Sequence, residues 1–338
     1  MSNRPKHILV IRLSAMGDVA MAVPVLRAFT EQFPEVRLTV LTKSDFIPFF
    51  RDLDNVTVFP AEIKGRHKGI LGIWRLSKDL KLLNLDAVAD FHNVIRSNIL
   101  KLFLGKPFVQ IDKGRKEKRD LVSGKIFRQL KFTHQRYLDV LKKLGYKVNL
   151  ANPSFPKKKL IHESIKNITG EKKNQWIGIA PFAAHKSKMY PLQKMRNVIE
   201  ELSKDYKVFL FGGGKDEVET LDEIAKEFSN TTNLAGKLNL SQELDIISNL
   251  DLMLSMDSGN GHIASMLGVP VVTIWGVTHP YAGFKPFNQP VDNSITIDRT
   301  QFPLIPTSIY GNKYPKEYEN CAGTIAEAKI IEKCKSLL

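Results

Sequence analysis

The stretch LSMDSGNGHIASMLGVPVVTIWG, residues 254–276, joins two apolar runs through Asp-Ser-Gly-Asn-Gly and a short segment of helical character. Short apolar runs rich in β-branched residues read as strands buried on both faces. A helix between two such strands makes a βαβ unit, in which the strands run parallel. That helix begins at the carboxyl end of the first strand, and its first N–H groups have no partners within the helix. Gly259 and Gly261 admit close approach of a ligand to this backbone, which suits a nucleotide diphosphate. A plain turn is the simpler reading of the same residues.

The rhythm extends in both directions. Apolar runs at 8–13, 38–42, 56–59, 87–91 and 108–111 alternate with helix-like stretches such as 19–33. After the Pro- and Lys-rich segment ANPSFPKKK (151–159) it restarts, with runs at 176–180, 207–211, 250–255 and 271–275. Strands alternating with helices predict parallel sheets covered on both faces. The 338 residues suffice for two domains of about 150 residues each. The expectation is therefore an α/β chain of two Rossmann-like, doubly wound domains, 1–160 and 161–322, followed by a C-terminal helix at 323–338. Ligands in such sheets bind at the carboxyl ends of the strands.

Composition narrows the class. With 43% hydrophobic and 25% charged residues the chain is ordinary globular material. No apolar run approaches the roughly 18 residues of a membrane span, and the one after the basic N-terminus is too short for a secretory leader. A cytoplasmic protein is expected. Cys321 and Cys334 are the two cysteines, and neither has companions at metal-ligand spacing, so no disulfide framework or zinc site is expected. The formal net charge of +15 makes polyanions natural partners, and much of the excess lies in IKGRHKG (63–69) and KGRKEKRDLVSGKIFRQLK (113–131). These segments form either a solvated face or an anion-binding one.

Four loops after predicted strands carry the chemistry. In LSAMGDVAMAVP (13–24) Gly17 supplies a tight turn and Asp18 stands where a helix begins, either as a cap or as a general base. In APFAAHKSKMYP (180–191) small residues precede Lys186 and Lys188, compact cations suited to phosphate. In FGGGKDEVETL (211–221) Glu217 is placed to accept a hydrogen bond from a ribose hydroxyl. The fourth is the Asp257–His262 loop of the opening stretch.

These blocks, IRLSAMGDVAMAVPVLRAF (11–29), AHKSKMYP (184–191) and SMDSGNGHIASMLGVPVVTIWGVTHP (255–280), resemble in order and spacing the ADP-heptose:lipopolysaccharide heptosyltransferases of glycosyltransferase family 9. The resemblance covers essentially the whole chain. It implies a GT-B fold, two Rossmann-like domains facing a central cleft, with the C-terminal helix TIAEAKIIEKCKSLL (324–338) packing back on the first domain. It also implies inverting, metal-independent transfer of heptose from ADP-heptose to the lipopolysaccharide inner core, with the donor as substrate and no cofactor. Carried over by position, Asp18 is the catalytic base and Lys188 the cation on the leaving diphosphate. Asp257, Ser258, Gly259, Asn260 and His262 form the donor block, while Leu238 and Asn239 stand in the adenine-side loop. The chain departs from the family at Ala183, Ala184 and Tyr190, where Gly or Thr and then Trp are common; Ser187 is the hydroxyl available in compensation.

The acceptor, lipid A-Kdo or a core oligosaccharide at the inner face of the inner membrane, is assigned to the first domain by charge, through Lys64, Arg66, Arg96, Arg115 and Arg119. Other readings are a GT-B transferase using another nucleotide-sugar, or a non-catalytic anion- or sugar-binding protein. A nicotinamide oxidoreductase needs GxGxxG after its first strand, and SAMGDVAMAVP is not that. A nucleic-acid module leaves the donor loops unexplained. No DxD pair of the kind metal-dependent transferases use stands in those loops; Asp52 and Asp54 form DLD near the third predicted strand.

Overall fold

The computed structural model describes residues 4–338, so the first three residues of the expected first domain lie outside it. The chain divides into two compact units: residues up to Lys113 together with Thr133–Ser154, and Gly114–Phe132 together with Phe155–Leu338.

The first unit contains β1 (His7–Ile11), α1 (Met16–Gln32), β2 (Arg37–Thr42), β3 (Val56–Pro60), α2 (Gly69–Lys81), β4 (Ala87–Asp90), α3 (Ile95–Leu104) and β5 (Phe108–Gln110). The helix α4 (Arg115–Val122) then belongs to the second unit, and α5 (Thr133–Lys143) returns to the first. The five strands are all parallel, in the order β3-β2-β1-β4-β5. Every residue of β1, HILVI, is buried, as a central parallel strand requires. Leu76 and Leu80 of α2 and Leu100 and Leu104 of α3 close one apolar layer over Leu9, Ile11 and Val88. The chain runs outward from β1 through β2 to β3, then crosses back to β4, so the strand order reverses between β1 and β4.

The second unit continues with α6 (Glu163–Thr169), β6 (Trp176–Ala180), α7 (Leu192–Ser203), β7 (Lys207–Leu210), α8 (Lys215–Glu227), β8 (Thr231–Asn233), α9 (Leu240–Ile247), β9 (Leu252–Met256), α10 (Gly259–Met266), β10 (Val271–Ile274), β11 (Ser294–Ile295) and α11 (Glu327–Lys335). Its sheet is also wholly parallel, ordered β11-β10-β9-β6-β7-β8, and reverses between β6 and β9. Such reversals are where doubly wound sheets bind ligands. No helix among the described residues is long and apolar enough to cross a membrane.

Nine of these strands lie where apolar runs predict them, with ends shifted by a residue or two. The other two, β8 (Thr-Thr-Asn) and β11 (Ser-Ile), are short and lack an apolar run. Two expectations are corrected. The first helix begins at Met16, so Gly17 lies inside its first turn instead of making the turn before it. The basic segment 114–132, read as part of the first domain, groups with the second unit, where Leu121 and Leu130 pack with Ala282 and the Leu130 N–H bonds the Tyr281 carbonyl. The C-terminal helix α11 belongs to the second unit. Its Ile330 and Cys334, one turn apart, are fully buried in the core of the second unit, and the Lys335 ammonium reaches Glu201 and Asp205 at the end of α7 at 3.1 and 3.3 Å. Both cysteines are free and buried.

Candidate active site

In the first unit the reversal point is crowned by Asp18. It occupies the third position of α1, and its carboxylate accepts a 3.3 Å bond from the N–H of Ala15, the residue that heads the helix. The same carboxylate meets the Arg12 guanidinium at 2.5 Å. Arg12, just past β1, also donates to the Phe91 carbonyl at 2.7 Å, tying the loops after β1 and β4 together. Burial disfavours the Arg12 charge, but neighbouring Tyr137, Asp18 and Asp90 outweigh it and raise its pKa. The Tyr137 hydroxyl bonds the Asp18 backbone carbonyl from beneath at 3.2 Å. Asp18 is thus both a cap and a carboxylate held at the top of the sheet, with 28% of its side chain exposed.

Next to it, Asp90 is fully buried and accepts the N–H groups of His92 and Asn93 and the Gln110 amide. This folds the loop after β4 over its own strand. Burial, helped by Arg12 and Lys113, pushes His92 down to about 4, so its imidazole is neutral at physiological pH. The sequence offered no sign of the Arg12 pairing, because an arginine ending a strand reads as a solvated end.

In the second unit, the loops after β6 and β9 bring together two residues from the expected set. The Lys188 ammonium lies 2.8 Å from the Asp257 carboxylate, with side chains only 13% and 9% exposed. The same Asp257 oxygen accepts the Thr278 hydroxyl at 2.8 Å. Lys188 is fixed by close backbone packing. A methyl group on Gly276 would stand 2.2 Å from the Ser187 carbonyl, and one on Gly311 would stand 2.5 Å from the lysine's own Cγ. Gly311 also holds φ +81°, a left-handed conformation that favours glycine. Thr278, Gly276 and Gly311 escaped the sequence reading, since nothing local links them to Lys188.

Ser187 is corrected. It is fully buried and donates to the Gly311 carbonyl at 2.5 Å, pinning the loop instead of offering a hydroxyl to a ligand. Tyr190, at the family's common Trp position, is likewise internal, its hydroxyl bonding the Ile325 carbonyl at 2.8 Å.

Ser258 heads α10 in an extended conformation, and its hydroxyl is buried without a protein partner. Gly259 and Asn260 form the first turn. Gly261 is needed for packing, because a methyl there would sit 2.6 Å from the Ser255 hydroxyl. His262 is 7% exposed, inside the same helix.

The outlying donor candidates are engaged locally. Glu217 accepts the Gly213 N–H at 2.8 Å, turning its carboxylate back on its own loop. Asn239 caps α9 and exchanges hydrogen bonds with Gln242 at 3.0 Å each. Leu238 beside it is half-buried. Of the acceptor candidates, Lys64, Arg66 and half-buried Arg96 lie in the first unit, whereas exposed Arg115 and Arg119 lie on α4 in the second. Arg66 pairs with Asp79 at 2.9 Å. Among the described residues no group of three or more His, Cys, Asp or Glu is arranged to hold a metal ion.

Comparison with known proteins agrees with this architecture. The chain is 28% identical over 308 residues to the lipopolysaccharide core heptosyltransferase OpsX of Haemophilus influenzae, which covers 87% of this chain and 85% of that protein. The glycosyltransferase family 9 structure from Veillonella parvula DSM 2008 matches with a TM-score of 0.76 at 19% identity, covering 98% of this chain and 97% of that one. The E. coli heptosyltransferase WaaC with ADP matches at 0.70 and 18%, covering 98% and 100%. The fold is GT-B. The family model described as glycosyltransferase family 9 (heptosyltransferase) matches residues 73–313, well over half of the sequence, and the chain belongs to that family.

Proposed function

We propose that the protein moves heptose from ADP-heptose to the lipopolysaccharide inner core, with inversion and without a metal ion, at the cytoplasmic face of the inner membrane. The observation that carries this reading is the Lys188–Asp257 pair directly preceding α10, whose first turn is headed by the buried, unpartnered Ser258 hydroxyl. A cation, a helix N-terminus and a hydroxyl donor at one loop suit a diphosphate. Its relatives support the chemical identity of that diphosphate, since WaaC has been solved with ADP and OpsX is a core heptosyltransferase.

In this mechanism the Asp18 carboxylate removes the proton from an acceptor hydroxyl as that oxygen attacks the anomeric carbon of the heptose. A positioned base of this kind contributes about 10²- to 10⁴-fold. The bond from the anomeric carbon to the phosphate oxygen breaks, and its electron pair stays on the β-phosphate of ADP. Lys188, the Ser258 hydroxyl and the α10 N–H groups stabilise the charge that develops there. Arg12 orients the base, and Asp257 and Thr278 orient the lysine.

The test supplies purified protein with ADP-heptose and a lipid A-Kdo acceptor. The expected result is ADP release matched one for one by acceptor whose mass has grown by one heptose. ADP-heptose left intact, while another nucleotide-sugar is consumed, would favour the alternative of a GT-B transferase with a different donor.

A further inference from the structure

The outer face of α2 and α3 in the first unit is neither polar nor covered. On α2 the residues Gly72, Ile73, Leu76, Ser77 and Leu80 are buried. A surface helix is normally polar on the opposite side. Here that side carries Ile70, Leu71, Trp74 and Leu82, exposed by 65%, 72%, 42% and 80%. On the neighbouring α3, Ile95 and Leu102 are exposed by 81% and 80%. Two packed helices and the residue ending one of them thus present six of the twelve large exposed hydrophobic side chains among the described residues.

The charges on this face have one sign. Arg75, Lys78 and Lys81 of α2 and Lys101 of α3 are exposed, and Lys64 and Lys68 precede α2. The one acid of α2, Asp79, is turned toward Arg66 and His67. The Lys78 ammonium lies 3.7 Å from the centre of the Trp74 ring, so an aromatic surface and a cation share one spot. An apolar stripe edged by lysines, with no exposed acid on either helix, is the pattern of a helix lying in the headgroup region of a bilayer. A second copy of the chain fits it poorly, because a self-complementary interface sets like cations against each other.

We propose that this face docks the protein on an anionic lipid bilayer, with Ile70, Leu71 and Trp74 entering the acyl boundary and Lys64, Lys68 and Lys78 engaging lipid headgroups. The proposal rests on the reading that the acceptor is held in a membrane, and it names the surface that brings the enzyme there.

The experiment sediments the full-length protein with vesicles of phosphatidylglycerol and phosphatidylcholine, and with phosphatidylcholine alone. Binding is expected to the anionic mixture, to weaken with salt, and to shift Trp74 fluorescence to the blue; Trp176 and Trp275 are each 1% exposed and contribute a constant background. The triple variant Ile70→Ser, Leu71→Ser, Trp74→Ser should bind at least about ten-fold more weakly, and Lys78→Glu with Lys81→Glu should lose about five-fold or more per charge. All five side chains are exposed, and circular dichroism checks that the variants fold. Equal binding to both vesicle types, undiminished binding by both variants, or a dimer that the triple substitution disperses would overturn the proposal. Transfer to a deacylated, water-soluble acceptor separates the two readings. If the triple variant keeps that transfer while losing vesicle binding, docking is supported. If wild-type protein makes the transfer but binds no vesicles, docking alone fails; if it binds vesicles but transfers no heptose, the proposed reaction fails and docking stands.

Discussion

At the scale of single residues, Asp18 carries two duties that one substitution separates. Asn keeps the side-chain shape and accepts the Ala15 N–H as well as Asp does, but it is not a base. Asp18→Asn is expected to lower heptose transfer by at least about 10²-fold while donor affinity is nearly unchanged; measuring kcat alongside ADP-heptose affinity decides it, and near-normal kcat would remove Asp18 from the mechanism. Some stability also goes, because the buried Arg12 loses its 2.5 Å counter-ion. Lys188 is similar. Its partner in the structure is Asp257 and not only a phosphate, so Lys188→Ala is expected to cost stability as well as about 10- to 100-fold in rate. Gly311→Ala should mimic the rate loss without removing the lysine, since the added methyl lands 2.5 Å from Lys188 Cγ. Steady-state kinetics on both variants check this pairing, and a fully active Gly311→Ala protein would show that the lysine's position is not critical.

At the scale of elements, the helices differ in what their first turns bury. Glu243 stands in the first turn of α9, where a carboxylate normally gains from the helix N-terminus. Burial overrides this and pushes its pKa up to about 7. The folded state therefore binds a proton that the unfolded chain, with an ordinary carboxylate pKa near 4.3, has released. Between pH 4.5 and 7 the native state holds more protons than the unfolded one, so this group's contribution to stability is present at low pH and lost as pH rises through 7. Glu243→Gln removes the titration, and its stability relative to wild type should improve between pH 5 and pH 8. Urea unfolding at the two pH values measures the difference; an equal offset at both would show that Glu243 titrates normally. The α7–α11 pair shows the opposite case, a helix added late in sequence whose apolar stripe completes the second unit's core.

At the scale of the whole molecule, two parallel sheets each reverse their strand order once. Asp18 stands at one reversal, and Lys188 and Asp257 stand at the other. If leaving-group charge is met by Lys188 and the α10 N-terminus, transfer should persist in excess EDTA. Loss of transfer in EDTA and its recovery with Mg²⁺ would place a divalent ion in the mechanism. The net charge of +15 adds a second expectation: capture of an anionic acceptor should slow as ionic strength rises, because screening shortens the reach of the basic surface to about 8 Å in physiological salt. The measurement is kcat/KM for the acceptor against salt.

The alternation of short apolar runs with helical stretches was enough, by itself, to determine two parallel α/β sheets, because burial on both faces leaves a continuous apolar signature in each strand. The loops rich in Gly, Ser and His were legible for the same reason, since their composition breaks that signature where a strand ends. The sequence also marked the family, through blocks that retain their order and spacing. Strand order was not legible, because parallel neighbours are chosen by packing between distant segments. That order alone put Lys188 against Asp257 and Arg12 against Phe91. The locking of Lys188 by Gly276 and Gly311, and the membership of 114–132 and α11 in the second unit, were decided by the tertiary structure too. A glycine's missing side chain and a helix's apolar stripe name no partner until the fold supplies one.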